Sequence, residues 1–287
     1  MPAIIFALVS YLGWGVGDVF GTIATRKLGA YSTTFWSYIF RVLIFALYIP
    51  FALPLLSNLN LSLLSLNIGL GLLLLVGFVA FNEALRIENA PLVGTIAASF
   101  VSVVVILSII FLGDTISSQQ LAAILIIFLG LLLSTINFKD FKNINALVSP
   151  GVLFALVAML SWGIYFTFIK IPVQQIGWFW PNYISFLLFP LVFLITKVRK
   201  IRISKPNYKN AFLPLFFVVL LTGAAEFSFN FAIGKGLTAI VAPIAGSYPT
   251  LFAVLAFLFF KDKITKQQIA GIITTLTGIV LLTIFSV

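Results

Sequence analysis

The sequence predicts an all-α polytopic membrane protein with ten transmembrane helices arranged as two inverted five-helix repeats. Composition is the first observation: 62% of the 287 residues are hydrophobic and only 8% are charged. A soluble domain carries about 25% charged residues, so this chain has too little polar surface for a water-soluble fold of its size. The other two observations are ten long apolar segments and an internal repeat.

Ten segments have the roughly 20 apolar residues that a helix needs to cross the hydrocarbon core of a bilayer. They do not alternate polar and apolar residues as the strands of a membrane barrel would. The first is expected to be a retained span, because no basic region and small-residue cleavage site mark it as a signal peptide. The predicted spans are about 3–22, 32–52, 64–85, 91–112, 118–136, 151–170, 180–196, 211–233, 238–260 and 267–286.

Local signals support several of these helix starts. Pro91 suits the first turn of the fourth span, where its missing N–H group is not needed. Ser117 and Gln120 have the spacing of a capping box before the fifth span. Thr265 and Gln268 repeat that spacing before the tenth span, so the two halves share this signal.

A shift of 148 residues aligns the two halves without a gap, so that residues 6–15 fall on residues 154–163. Each half holds five spans, an odd number, and the two copies therefore have opposite orientations in the membrane. Inverted repeats of this kind recur in secondary transporters; a duplication kept only for packing is the alternative. The predicted division is a first repeat at 1–137, a connecting loop at 138–150 and a second repeat at 151–287.

The basic residues test the inversion independently, because only one loop of each equivalent pair should be basic. The basic run at 197–209 aligns with residues at 49–61 that carry no charge. The even-numbered loops contain only two basic residues, Lys170 and Lys235. Lys and Arg collect on the cytoplasmic side, so we expect a multi-pass protein of the cell membrane with odd-numbered loops in the cytoplasm and both termini outside.

Three motifs occur once in each half and in the same order. They are Trp-Gly in the first span (Trp14 and Trp162), a stretch through the third and fourth spans (Asn82 to Ser99 and Asn230 to Ser247), and an acidic turn before the last span (Asp114 and Asp262). By these motifs the whole chain resembles the EamA-type branch of the drug/metabolite transporter (DMT) superfamily, in which Glu often stands where this turn has Asp. The resemblance implies export of small metabolites, amino acids among them. It also implies that both termini lie in the cytoplasm. The distribution of Lys and Arg indicates the opposite orientation, and our prediction follows that distribution.

Ionisable side chains inside spans are candidate functional groups by default. Asp18 and Arg41 lie at similar depths, and two interpretations stay open. They form an ion pair between two helices, or Asp18 lines the transport path. In the second case Arg41 tunes Asp18 or meets an anionic group of the substrate. Glu226 has no basic residue within one helical turn and is expected to be a proton or cationic-substrate site, or a neutral hydrogen-bonded group. Glu83 is expected to form a surface pair with Arg86.

The repeat also places uncharged polar residues at equivalent depths, where they suit a zwitterionic or hydroxylated solute or form hydrogen bonds between helices. Aromatic residues at similar depths either line the path or pack against lipid and core. The predicted substrate-binding residues are Trp14, Asp18, Asn82, Ser99, Trp162, Tyr165, Glu226, Asn230, Ser247 and Tyr248.

These features favour a secondary transporter that moves small polar metabolites, amino acids or similar, by alternating access, with export expected and proton coupling left open. A lipid-linked carrier translocase and a multidrug-type exporter of the same superfamily are the alternatives. The chain has no Walker motif, no His and no Cys, so we expect neither an enzyme nor a cofactor or metal site. The expected partners are a small-molecule substrate, the lipid bilayer and, if coupled, protons. Nucleic acid is not expected, and monomer and homodimer both stay open.

Overall fold

The computed structural model describes residues 1–87, 90–135, 149–206, 208–261 and 264–286, and these form helices without strands. Within them, nine segments are long and apolar enough to cross a membrane, and Ile96–Leu112 is a shorter apolar helix. The segments are α1 (Pro2–Leu28), α2 (Ala30–Asn58), α3 (Leu61–Ile87), α4 (Ala90–Ala98 and Phe100–Leu112), α5 (Ser118–Thr135), α6 (Pro150–Ile176), α7 (Trp180–Val198), α8 (Asn210–Lys235), α9 (Thr238–Phe260) and α10 (Lys266–Ile284).

The predicted fold class is confirmed, since these ten segments correspond to the ten predicted spans. Both capping boxes are present: Ser117 and Gln120 exchange hydrogen bonds before α5, and Thr265 and Gln268 do so before α10. Residues 138–148 of the predicted connecting loop and Asp262 of the second acidic turn lie outside the described residues.

The helices of one half pack mainly against helices of the other half. α1 packs along α8, and α3 packs along α6. The repeat makes α1 equivalent to α6 and α3 equivalent to α8, so these two contacts are related by one pseudo-twofold axis. α4 meets its own equivalent α9, and α5 meets its equivalent α10. The result is a pair of interlocked inverted five-helix repeats.

Contacts near the helix ends show which loops share a face of the bundle. The guanidinium of Arg26, after α1, lies 4.7 Å from the ring centroid of Phe260, at the end of α9. At the opposite face, the Gln120 amide at the start of α5 donates to the carbonyl of Phe285 beyond α10, at 3.0 Å. The first and ninth loops therefore lie on one face, the odd-loop face, and the start of α5 and the end of α10 lie on the opposite face, the even-loop face.

Two helices are interrupted at equivalent positions. α4 breaks at Ser99 and α9 breaks at Ser247. Ser247 is fully buried, and its hydroxyl donates to the Pro243 carbonyl at 2.6 Å. Pro249, which lacks a backbone N–H, follows two residues later and disfavours an uninterrupted helix. Both predicted serines therefore lie at helix breaks.

α5 and α10 approach each other through glycine residues. A Cβ atom on Gly130 would meet the backbone nitrogen of Thr275, and a Cβ on Gly271 would meet the backbone of Ser134. Gly278, the repeat equivalent of Gly130, approaches α5 in the same way. Small residues let membrane helices pack with their backbones in contact, so this pair of helices joins the two halves without room for a side chain.

We expect Gly130→Ala to lower the melting temperature of the detergent-purified protein, because overpacking of this kind costs about 1–3 kcal/mol. Gly69→Ala is the matched control, since a Cβ there would meet no atom within 4 Å. Alanine is the better helix former by about 1 kcal/mol, so Gly69→Ala should leave the melting temperature unchanged or raise it. Equal melting temperatures for the two variants would contradict the close contact.

Candidate substrate site

A cavity of about 470 Å³ lies between the two halves of the protein. It extends from the middle of the bundle to the odd-loop face, where Arg26 and Ala30 border it. Its walls come from α1, α2, α3, α6 and α8, with Phe100 of α4 and Tyr248 of α9. Small-molecule sites in proteins have volumes of roughly 300–1,000 Å³, so this cavity has the size of a metabolite site.

Each wall is one stripe of a helix. On α1 the lining residues Trp14, Asp18 and Thr22 follow one another at four-residue intervals. On α2 Ser37 and Arg41 have the same spacing. Residues three or four apart share a face of a helix, so a short sequence interval gives each helix a continuous cavity surface.

Aromatic rings close the inner end of the cavity. The Trp14 ring lies 5.7 Å from the rings of Phe166 and Tyr248 and 5.6 Å from that of Phe229, measured between centroids. Trp162 lines the cavity as well and packs against Phe78 at 5.5 Å. The inner end of the cavity is therefore apolar and rich in π-electron faces.

One buried ion pair connects the two halves at the cavity wall. Arg41 Nη1 on α2 lies 3.0 Å from Glu226 Oε1 on α8, and the two side chains are 9% and 17% exposed. Arg41 Nη2 also donates to the Thr222 hydroxyl, and its guanidinium carbon lies 5.0 Å from the ring centroid of Phe186. These partners hold the guanidinium in place on three sides.

The structure corrects two expectations about these charges. Arg41 pairs with Glu226 and not with Asp18, and Glu226 does have a basic partner. Arg41 is 185 positions away from Glu226 in the chain, so the residues within one helical turn of Glu226 do not reveal it. Asp18 lines the cavity, and its carboxylate has no hydrogen bond or ion pair to any residue that the structure describes.

We expect Arg41→Met to destabilise the protein strongly, because removing one partner of a buried ion pair costs about 3–5 kcal/mol. The cost should be near the lower limit, since the cavity exposes part of Glu226. The double variant Arg41→Met/Glu226→Leu should recover most of the loss, because no buried charge is left unpaired. Thermal melting in detergent measures both, and a double variant less stable than the single one would argue against the pair.

Seven of the ten predicted substrate-binding residues line this cavity. They are Trp14, Asp18, Asn82, Trp162, Tyr165, Glu226 and Tyr248. Asn82 donates to the carbonyl of Phe78 in its own helix at 2.9 Å, and the Tyr165 hydroxyl donates to Asn182 Oδ1 at 3.0 Å. Ser99 and Ser247 lie at the helix breaks described above. Asn230 is buried and donates to the carbonyl of Trp178 at 3.1 Å.

Several lining residues were absent from the sequence prediction. Thr33, Ser37 and Tyr38 on α2 and Thr222 on α8 all border the cavity. The signal that would have found them is helical spacing, because they lie within one or two turns of Arg41 or Glu226 on the same faces. Their hydroxyl groups make the middle of the cavity polar, between an aromatic inner end and the charged mouth.

A second buried ion pair joins the halves at the even-loop face, opposite the mouth of the cavity. Asp114, after α4, is 4% exposed and lies 3.3 Å from Lys170 Nζ on α6. The Ala239 backbone N–H donates to the same carboxylate at 2.8 Å, and Lys170 also donates to the Gly236 carbonyl at 3.1 Å. These contacts hold loops of both repeats together at this face.

Glu83 differs from its expected surface setting. It does pair with Arg86, at 3.0 Å, but the Glu83 residue is only 5% exposed. It also accepts a hydrogen bond from the Tyr31 hydroxyl at 3.0 Å and pairs with Arg199 after α7. Glu83 therefore links α2, α3 and the seventh loop near the odd-loop face. The predicted partner of Glu83, Arg86, was correct, and the predicted surface position of Glu83 was wrong.

Two inverted five-helix repeats around a metabolite-sized cavity that reaches one face define a membrane transporter. The model of the EamA-like transporter family matches residues 1–136 and, separately, residues 149–284. The chain therefore belongs to the EamA-like transporter family. The two matches are offset by the same 148 residues that align Phe6 with Phe154.

Two further comparisons agree with this architecture. An uncharacterized protein of Methanocaldococcus jannaschii is 26% identical over 141 residues, which cover 48% of this chain and 98% of that protein. That relative therefore has about the length of one repeat. A crystal structure of a protein matches 98% of this chain and 96% of its own chain with a TM-score of 0.78. Its sequence identity is 14%, so this likeness concerns the fold alone.

Proposed function

We propose that this transporter exports small polar metabolites that carry an amino group, amino acids among them, by alternating access across the cell membrane. The observation that carries the proposal is the cavity between the halves, which reaches the odd-loop face while the Asp114–Lys170 pair closes the even-loop face. The excess of Lys and Arg in the odd-numbered loops supports a cytoplasmic location for that face. A cavity open to the cytoplasm is the state that loads a substrate for export.

The repeat predicts what the opposite state would expose. If the halves exchange conformations, each lining residue is replaced by its equivalent 148 positions away. Asn82 and Leu85 on the cavity wall correspond to Asn230 and Ile233, which are now 2% and 0% exposed. Thr22 corresponds to Lys170. The Asp114–Lys170 pair would therefore have to separate before a cavity could open at the even-loop face.

Cysteine labelling tests this exchange, because the chain has no native Cys. In an otherwise unchanged protein, Ile233→Cys should react slowly with a membrane-impermeant maleimide and Leu85→Cys rapidly. Adding Lys170→Met removes one partner of the ion pair, so labelling should speed up at Ile233→Cys and slow down at Leu85→Cys. Alternating access predicts opposite changes at the two positions, and parallel changes would count against it.

Proton coupling forms part of the proposal and rests on Glu226. A proton taken up by this carboxylate would remove its charge and release the Arg41 guanidinium. Because both residues line the cavity, binding of a proton would change the affinity of the cavity for its substrate. Glu226→Gln carries a neutral side chain of the same shape and would hold residue 226 permanently in the neutral form, while Arg41 stays charged.

Transport in proteoliposomes, with radiolabelled amino acids and sugars and with or without a pH gradient, tests substrate class and coupling together. We expect the wild-type protein to transport amino-group solutes faster with the gradient. The Glu226→Gln variant should lose the dependence on the gradient. A Glu226→Gln variant whose transport still depends on the gradient would remove Glu226 as the proton site. Transport of apolar dyes but not of metabolites would favour a multidrug-type exporter, which the aromatic walls also fit.

A further inference from the structure

We infer that Asp18 is the specificity-determining residue of the cavity and selects monocationic arylalkylamines over zwitterionic and anionic solutes of the same size. The inference rests on the proposed function, because it treats the cavity as the substrate site. It ranks the solutes with an amino group, so that those without a carboxylate beside the amine bind more tightly than amino acids do.

The charges along the cavity support this assignment. Arg41 and Glu226 neutralise each other at 3.0 Å. Arg26 stands exposed at the mouth with its guanidinium over the ring of Phe260, so water screens it from the interior. Asp18 remains as the lining carboxylate without a partner among the described residues. Ionised, this carboxylate would be the uncompensated charge of the inner cavity, and a bound cation would stabilise it.

A substrate carboxylate finds no comparable partner in the inner cavity. The Arg41 terminal nitrogens already contact Glu226 and Thr222, and Arg41 Nε is buried without a hydrogen bond to the described residues. The positive charge of Arg41 already balances that of Glu226, so it is not available to balance a second carboxylate. Transfer of an unpaired charge into an apolar site is costly, so a carboxylate on the ligand should weaken its binding.

The aromatic walls specify the rest of the ligand. Trp14 lies one helical turn from Asp18 on the same face of α1, and Tyr248 packs against Trp14 at 5.7 Å between ring centroids. Aromatic faces attract ammonium groups and stack with aromatic rings. An ammonium group at Asp18 would thus carry its ring toward Trp14 and Phe166, which close the inner end.

Three ligands with the same ring and different charges test the inference by binding to the purified protein in nanodiscs. They are phenethylamine, which is cationic, phenylalanine, which is zwitterionic, and 3-phenylpropionate, which is anionic. Isothermal titration calorimetry should give the tightest binding for phenethylamine and no measurable binding for 3-phenylpropionate. The dissociation constant of phenylalanine should be about tenfold higher than that of phenethylamine or more, because a hydrogen bond to a charged group contributes at least about a factor of ten.

Asp18→Asn should weaken phenethylamine binding by about tenfold or more and abolish the preference over phenylalanine, whereas Asp18→Glu should retain the order of the three ligands. Wild-type protein that binds 3-phenylpropionate as tightly as phenethylamine, or binds none of the three, would overturn the inference. So would an unchanged order in Asp18→Asn. If that variant does not fold, the wild-type comparison still decides.

The outcomes also separate this inference from the proposed function. Amine binding without transport in proteoliposomes would contradict the proposed function and leave the role of Asp18 standing. Transport of other solutes without binding of phenethylamine would contradict the role of Asp18 and leave the transport proposal standing.

Discussion

The cost of keeping a charge away from water governs the arrangement of this protein. Inside the bilayer an unpaired charge has no solvent to stabilise it, and most of the buried charges described here have a partner from the other repeat. Arg41 of the first repeat meets Glu226 of the second, and Asp114 of the first meets Lys170 of the second. The charges thus fix how the two halves face each other, while the glycine contacts between α5 and α10 fix how closely they approach.

The sequence was sufficient for the architecture because each of its signals is local or periodic. Long apolar runs predicted the spans, the capping boxes of Thr265 and Ser117 marked two starts, and the shift between the halves predicted the inversion. The pairing of Arg41 with Glu226 could not be obtained in this way. It depends on how α2 and α8 lie side by side, and nothing within one turn of either residue indicates the other.

The symmetry of the repeat also explains why part of the predicted site lies elsewhere. In this structure the cavity reaches a single face, so Asn82 lines it while Asn230 is buried and donates to the Trp178 carbonyl. Under the proposed alternating access, equivalent residues such as Asn82 and Asn230 would exchange these places between two states. The symmetry of the sequence would then predict the lining residues of both states together.

The ion pair between Asp114 and Lys170 has a consequence for the resting distribution of the transporter. Its repeat equivalent would join Asp262 to Thr22, and threonine carries no charge. The even-loop face thus closes with an ion pair, whereas the equivalent position 22 at the odd-loop face lacks the cation. Under the proposed alternating access, two conformations related by exchange of the repeats would then be unequal in free energy, and the empty carrier would favour the one with its cavity open to the odd-loop face.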